Sequence, residues 1–185
     1  MTTTKKSDIA ETKFLATPLD TIPTDVTLPF SIYIRVAGKL TCLRNVGDHL
    51  SQERAKSLHA KVDTVLIPQL MWNAFLQRLE EICELGTDSM EKTVHNIHSL
   101  LVVYGRHMEK MREVQKTTVG KLRKLSFDLI DITCANPEML GTLPRKYHEG
   151  SVYFAVHGVN VALYAMAIGR KFNYCATDLK LLAFS

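Results

Sequence analysis

The sequence predicts an α+β protein in which a small ββαβα module precedes an all-α region. Polar and apolar side chains alternate in residues 30–36 ("FSIYIRV"), which is typical of a half-buried strand. Residues 89–135 contain no proline, and their apolar side chains recur at a spacing of three and four, which is typical of helices. With 46% hydrophobic and 23% charged residues, the composition is that of a globular protein.

The module opens with a predicted hairpin. Ala37 and Gly38 form a tight turn, and residues 39–45 form the returning strand. Ser51 is then predicted to cap a helix over residues 51–61. The residues predicted to face inward from the first strand are Phe30, Ile32, Ile34 and Val36.

A third strand and a second helix complete the module. The strand ends at Pro68, since proline lacks the N–H that a sheet ladder needs. The helix lies within residues 69–85, and its apolar stripe indicates a buried face. That stripe comprises Leu70, Trp72, Phe75, Leu76 and Leu79.

The all-α region begins after Gly86, which ends the second helix. A helical stretch restarts at residues 87–89 and breaks near Gly105 or Gly120. It stops at residues 136–137 ("NP"), and residues 136–150 form a short helix or a loop. A further helix runs to about Arg170, and a last helix is capped at Thr177.

We therefore divide the sequence into four segments. Residues 1–27 are a flexible leader, 28–86 the α+β module, 87–148 a helical linker region, and 149–185 the first helices of a further domain. No stretch is apolar enough to span a membrane and no signal sequence is visible, so we expect a cytoplasmic protein. A net charge of +4 permits an anionic ligand, but we expect no binding to DNA.

Several polar groups have a structural explanation beside a functional one. Glu91, His95 and His98 share a helix face that could present metal ligands, but no second such helix exists, which favours a structural role. His148 and Glu149 have no acid-base partner at a recognisable spacing. The four cysteines lie about 40 residues apart, which favours reduced, structural thiols.

A basic stretch in residues 110–124 could follow a phosphate backbone. Its cations alternate with acidic residues and lack interleaved aromatic residues, which favours a solvated helix face. These cations are Lys110, Arg112, Lys116, Lys121, Arg123 and Lys124.

His157 lies in the apolar stretch 152–172 ("VYFAVHGVNVALYAMAIGRKF"). Val161, Tyr164 and Ile168 share its helix face, so the imidazole is predicted to lie inside a bundle. A buried imidazole needs hydrogen-bonding groups or a metal ion as partners. The pattern alone favours a hydrogen-bonded core histidine and leaves the metal ligand open.

Residues 157–185 resemble the opening of the HD-GYP family, the HD-superfamily phosphodiesterases of bacterial cyclic-di-GMP signalling. The first conserved helix of that family reads much like H-S-V-N-V-A-L-L-x-x-x-L-G, and a helix "LxxLxxAxLxHDIGK" follows. Residues 28–68 also look like the small N-terminal domain found before many such catalytic regions. The matching positions are His157, Val159, Asn160, Val161, Ala162, Leu163, Gly169, Asp178, Leu179, Leu182 and Ala183.

The resemblance implies two or three iron or manganese ions in a helical bundle, with His157 as the first metal ligand. Two such ions activate a bridging water for attack on phosphorus, which is how the family cleaves cyclic-di-GMP. Tyr153 stands where some relatives carry a glutamate for a third metal, which favours the two-metal version. The His-Asp pair is expected about four residues after Ser185, so we expect neither activity nor stably bound metal from these residues alone.

Three interpretations follow. The chain is the N-terminal part of an HD-GYP phosphodiesterase, with 28–86 as a regulatory module and 149–185 as a truncated catalytic domain. Alternatively, it is a non-catalytic signalling module, HDOD-like or a degenerate HD-GYP remnant, that binds a protein partner or another copy through an exposed helix face. It could also be an unrelated helical adaptor. The exposed face is expected to include Leu179, Leu182 and Phe184.

Overall fold

The computed structural model describes residues 13–87, 89–108, 116–141 and 153–184. These residues form two compact units, and the division falls between Leu79 and Glu80. We call them the N-terminal unit and the helical unit. The predicted α+β class, with a small sheet module before a helical region, is confirmed.

The N-terminal unit is built on a four-stranded antiparallel sheet with strand order β1-β4-β2-β3. Helix α1 (Gln52–His59) lies between β3 and β4 in sequence, and α2 (Trp72–Leu85) follows β4. Ser51 caps α1 as predicted, since its Oγ accepts a hydrogen bond from the Arg54 N–H at 3.3 Å. The strands are β1 (Phe14–Pro18), β2 (Ile32–Val36), β3 (Lys39–Arg44) and β4 (Thr64–Pro68).

The prediction of a flexible leader over residues 1–27 is wrong from residue 13 onward. Strand β1 pairs with β4 along its length, from Phe14 opposite Pro68 to Pro18 opposite Thr64. Leu15 and Leu19 are buried in consequence. The segment is short and shows no alternation, so its structure depends on a partner about 50 residues away and not on its own periodicity. Residues 1–12 lie outside the described residues.

The hairpin between β2 and β3 is closed by the predicted two-residue turn. Ala37 has φ +47° and Gly38 has φ +78°, the positive pair that a type I′ turn requires. Glycine adopts this conformation without strain, whereas a Cβ at Ala37 is unfavourable there. The turn therefore fixes the register of the hairpin, although the positive φ at Ala37 is conformationally unfavourable.

Replacing Ala37 with asparagine is expected to stabilise the N-terminal unit by about 0.5 to 1 kcal/mol, because asparagine tolerates positive φ and Asn-Gly is the preferred pair for this turn. Urea denaturation followed by the fluorescence of the single tryptophan, Trp72, measures the change. The control is Ala37→Val, which should destabilise the unit because a β-branched residue resists positive φ. Equal stability of the two variants would contradict the turn geometry.

The core of the N-terminal unit is centred on three aromatic rings. Phe75 meets Phe30 at 5.0 Å and Trp72 at 5.3 Å between ring centroids, both in edge-to-face geometry. Leu70, which the sequence placed in the same stripe, is instead 93% exposed. It lies in a 3₁₀ turn (Gln69–Met71) that precedes α2, where helical spacing no longer decides which side chains share a face.

The helical unit contains α3 (Met90–Met108), α4 (Lys116–Ala135), α5 (Tyr153–Lys171) and α6 (Ala176–Phe184), together with the end of α2. Helix α4 stops before residue 136, as predicted, and a 3₁₀ turn (Pro137–Gly141) follows. Gly105 and Gly120 lie inside α3 and α4, and Thr177 lies inside α6 and not at its cap. None of the helices within the described ranges is both long and apolar enough to cross a membrane.

Four helices share the main core of the helical unit. Helix α3 contributes Val94, Ile97 and Leu101, and the other helices complete the cluster around them. These additional buried residues are Leu129 and Ile130 from α4, Leu163 and Met166 from α5, and Leu179 from α6. The helical period of the apolar residues predicts most of these buried positions, but Leu179 was expected on an exposed face and is instead buried.

Candidate functional site

Helices α5 and α6 form a tight helical pair at the end of the described chain. Asn173 has φ +59° and lies just past the end of α5, where such a residue typically terminates a helix. The Tyr174 N–H donates to the Gly169 carbonyl at 3.0 Å, which turns the chain back toward α5. The Arg170 guanidinium donates to the Cys134 carbonyl and so ties α5 to the end of α4.

Gly169 permits this close packing. A Cβ at this position would lie 2.7 Å from Leu182 Cδ1 and 2.8 Å from Leu179 Cδ2, well inside van der Waals contact. Gly169 is buried, and Leu179 belongs to the main core. The absence of a side chain at Gly169 thus lets α6 lie directly on α5.

His157 is exposed on the first turns of α5, and the prediction that it lies inside a bundle is wrong for this structure. Its neighbour Val156 is buried against Val102 of α3, which shows which face of the helix meets the core. Helix α5 is apolar on nearly all sides, so sequence period alone could not decide which side would be covered. The structure covers the side of Val156, Leu163 and Met166.

The face of α5 that starts at His157 forms an exposed apolar stripe. Its side chains recur at helical spacing and are exposed by 50% at Val161, 55% at Tyr164, 59% at Ile168 and 71% at Phe172. The sequence analysis placed the exposed apolar face on the last helix, which is wrong for Leu179, and it expected the stripe of α5 to be buried, which is also wrong for this structure. Leu179 is buried and Leu182 is half-buried, because both pack into the gap at Gly169; the Phe184 side chain lies outside the described residues.

The residues at hand do not by themselves fit a metal centre. Within the described ranges, no three or more histidine, cysteine or carboxylate side chains are grouped so that they could hold a metal ion. Transition metals in proteins are normally fixed by at least three protein ligands. His157 could therefore serve as the first ligand only with ligands from outside the described residues.

The other polar groups singled out in the sequence do not converge. Glu91 and His95 are exposed, whereas His98 is fully buried, so the three do not form one surface. His148 and Glu149 lie outside the described residues, as do Lys110 and Arg112. The remaining cations of the basic stretch are Lys116, Lys121, Arg123 and Lys124, and all are exposed.

Contacts of two of these cations agree with a solvated helix face. Lys121 Nζ pairs with Glu80 Oε1 at 2.7 Å, and the Arg123 guanidinium lies 5.3 Å from the centroid of the Phe127 ring. Lys180 Nζ lies 5.1 Å from the same centroid and also pairs with Asp131 at 2.9 Å. The ion pairs join α4 to α2 and α6. Several charged side chains of α4 therefore already have partners within the protein.

Sequence reasoning missed a cavity of about 390 Å³ in the helical unit. It lies between the end of α2, the middle of α3 and the middle of α4, and it combines an apolar floor with charged groups. Residues such as Glu80, Cys83 and Glu84 recur at three-and-four spacing, which was visible in the sequence. Which helices face one another across such a cavity is not encoded in that spacing.

Comparison with solved structures shows a protein that shares this fold. The chain matches the structure described as Bd1817, a HDG"Y"P protein from Bdellovibrio bacteriovorus, with a TM-score of 0.62 and 16% sequence identity. The match covers 92% of this chain and 57% of that protein's chain. Neither the protein-family models nor the curated proteins gave a match. The chain therefore has an HD-GYP-like fold.

Proposed function

We propose that this chain is the N-terminal portion of an HD-GYP-type, metal-dependent phosphodiesterase that hydrolyses cyclic-di-GMP in bacterial signalling. The observation that carries the proposal is the fold, which follows an HD-GYP protein over 92% of this chain while spanning 57% of that protein. The α+β module then corresponds to a regulatory region, and α5 to the first helix of the catalytic bundle. The finer assignment rests on the resemblance of residues 157–185 to the family's opening helices.

The exposed stripe of α5 supports this proposal. In a complete bundle, further helices would cover Val161, Tyr164 and Ile168, and the same packing would enclose His157. The imidazole would then meet the remaining ligands of the metal site. In these residues alone the site is incomplete, so we propose that the fragment neither holds metal stably nor hydrolyses the dinucleotide.

The same stripe favours a second candidate function, that of a non-catalytic signalling module. Large apolar side chains grouped on one helix face often mark protein–protein contacts. Tyr164 and Phe172, exposed by 55% and 71%, are residue types that frequently anchor such contacts. In this version the stripe binds a partner protein or a second copy of the chain, and His157 has no catalytic role.

Hydrolysis of cyclic-di-GMP by the protein, expressed with any coding sequence that follows Ser185, tests the main proposal. With iron or manganese present, we expect turnover that His157→Ala lowers by more than about 100-fold, since the loss of groups that only support a ligand already costs 10- to 100-fold. His95→Ala is the matched control, because His95 is also an exposed helical histidine but lies on α3. Metal content of the same preparations should fall only in the His157 variant.

Two results would sink the phosphodiesterase assignment. One is the absence of a downstream His-Asp pair together with no hydrolysis at any metal loading. The other is an active enzyme in which His157→Ala and His95→Ala turn over equally fast. In the first case, capture of a defined partner that is lost in Tyr164→Lys would support the signalling module.

A further inference from the structure

We propose that the cavity between α2, α3 and α4 binds a small organic cation that carries an apolar body. All of its lining residues belong to the helical unit, and none lies on α5, so this site is separate from the helix of His157. The inference goes beyond the proposed function and does not depend on it. The ten lining residues are Glu80, Cys83, Glu84, Ile97, Leu100, Tyr104, Lys121, Lys124, Leu125 and Asp128.

The floor of the cavity suits an apolar body. Ile97 and Leu100 are buried and Leu125 is half-buried, so their side chains offer a preformed apolar surface. The volume of about 390 Å³ lies within the usual range of about 300–1,000 Å³ for small-molecule sites. An apolar group that enters the cavity would remove its own surface and that of the floor from water.

One carboxylate of the wall, that of Glu80, already has partners within the protein. Glu80 Oε1 accepts hydrogen bonds from the Tyr104 hydroxyl and from Lys121 Nζ, the latter at 2.7 Å. Charge-assisted hydrogen bonds of this kind hold side chains in one orientation. The remaining charged groups of the lining are two carboxylates, Glu84 and Asp128, and one exposed ammonium, Lys124.

The balance of these charges favours a positively charged ligand. Two carboxylates line the cavity from different helices, Glu84 from α2 and Asp128 from α4. Cys83 lies in the same wall, and its pKa is raised to about 11, mainly by burial and to a lesser extent by the charges of Glu80 and Glu84. The thiol is therefore protonated at neutral pH and offers a neutral, weakly polar wall.

Titration with phenethylamine, a protonated amine with an aromatic body, tests the site on the whole chain. Methyl-resolved NMR should show saturable shifts at Ile97, Leu100 and Leu125 when the amine is raised to about 10 mM, a range that suits a ligand of this size. The anion 3-phenylpropionate, of similar shape, should bind more weakly by at least fivefold. This comparison uses the wild-type protein, so it does not depend on the folding of a variant.

Two variants locate the charge. Glu84→Gln and Asp128→Asn should each weaken the binding of phenethylamine by about two- to fivefold, as expected for the loss of one partly solvated ion pair. Asp131→Asn is the matched control, since Asp131 lies on the same helix but pairs with Lys180 outside the lining. Equal binding of the amine and the anion, shifts confined to other residues, or no saturation would each overturn the proposal.

Discussion

Replacing Phe75 with alanine is expected to lower the free energy of unfolding of the N-terminal unit by about 3 to 5 kcal/mol. The Phe75 side chain is fully buried and touches the rings of both Phe30 and Trp72. Its removal forfeits the transfer of a phenyl ring from water and leaves a cavity that two rigid rings cannot fill by collapse. Urea denaturation followed by Trp72 fluorescence measures the loss at the site where it occurs.

Leu70→Ala is the matched control for this prediction. Leu70 belongs to the same apolar stripe in the sequence, but it is 93% exposed, so its truncation should change stability by less than about 0.5 kcal/mol. A loss of several kcal/mol in Leu70→Ala, or a loss below about 1 kcal/mol in Phe75→Ala, would contradict the core described here.

The contrast between these two residues shows how far sequence period predicts burial. Within α2 the spacing of three and four identified Trp72, Phe75 and Leu79 as core residues. It failed at Leu70 because the chain enters the helix through a 3₁₀ turn, where the angular step between residues changes. The helical period of apolar residues thus predicts which side chains are buried within a helix, but it fails at the helix ends, where the backbone geometry changes.

Strand β1 was missed for a different reason. Its five residues, Phe14–Pro18, carry no alternation of their own, and its place in the sheet depends on β4. The hairpin of β2 and β3, by contrast, is formed by strands that are adjacent in sequence, and its turn residues predict it. Local pairing could thus be predicted, whereas pairing across about 50 residues could not.

The prediction of the candidate site was limited in the same way, because the residue pattern of a helix does not show which other helices will pack against it. Helix α5 was predicted as a helix with two apolar faces, but the pattern did not say that α3 and α6 would cover the face of Leu163 and Met166. The prediction of a buried His157 failed on that point alone. The helix and its histidine could be predicted from the sequence; the exposure of the imidazole depends on which helices are present to pack against it.

Gly169→Ala is expected to destabilise the helical unit even though alanine is the better helix former. The new methyl group would lie 2.7 and 2.8 Å from the ends of Leu182 and Leu179. Leu182 is half-buried and can move aside, but Leu179 is held in the main core, so we expect an overpacking cost of about 1 to 3 kcal/mol. The gain in helix propensity, about 1 kcal/mol, offsets part of this cost.

Gly158→Ala separates the gain in helix propensity from the overpacking cost. Gly158 lies in the same helix, and a Cβ there meets nothing within 4 Å. This variant should raise stability by about 0.5 to 1 kcal/mol through propensity alone. The difference between the two variants, measured by far-UV circular dichroism during urea denaturation, then gives the cost of the contact between α5 and α6. If both variants gain the same stability, the leucines at α6 move away freely and Gly169 is not what permits the two helices to pack closely. If Gly169→Ala alone loses stability, the match of Gly169 to the family pattern has a packing explanation that holds whether or not His157 ever binds a metal.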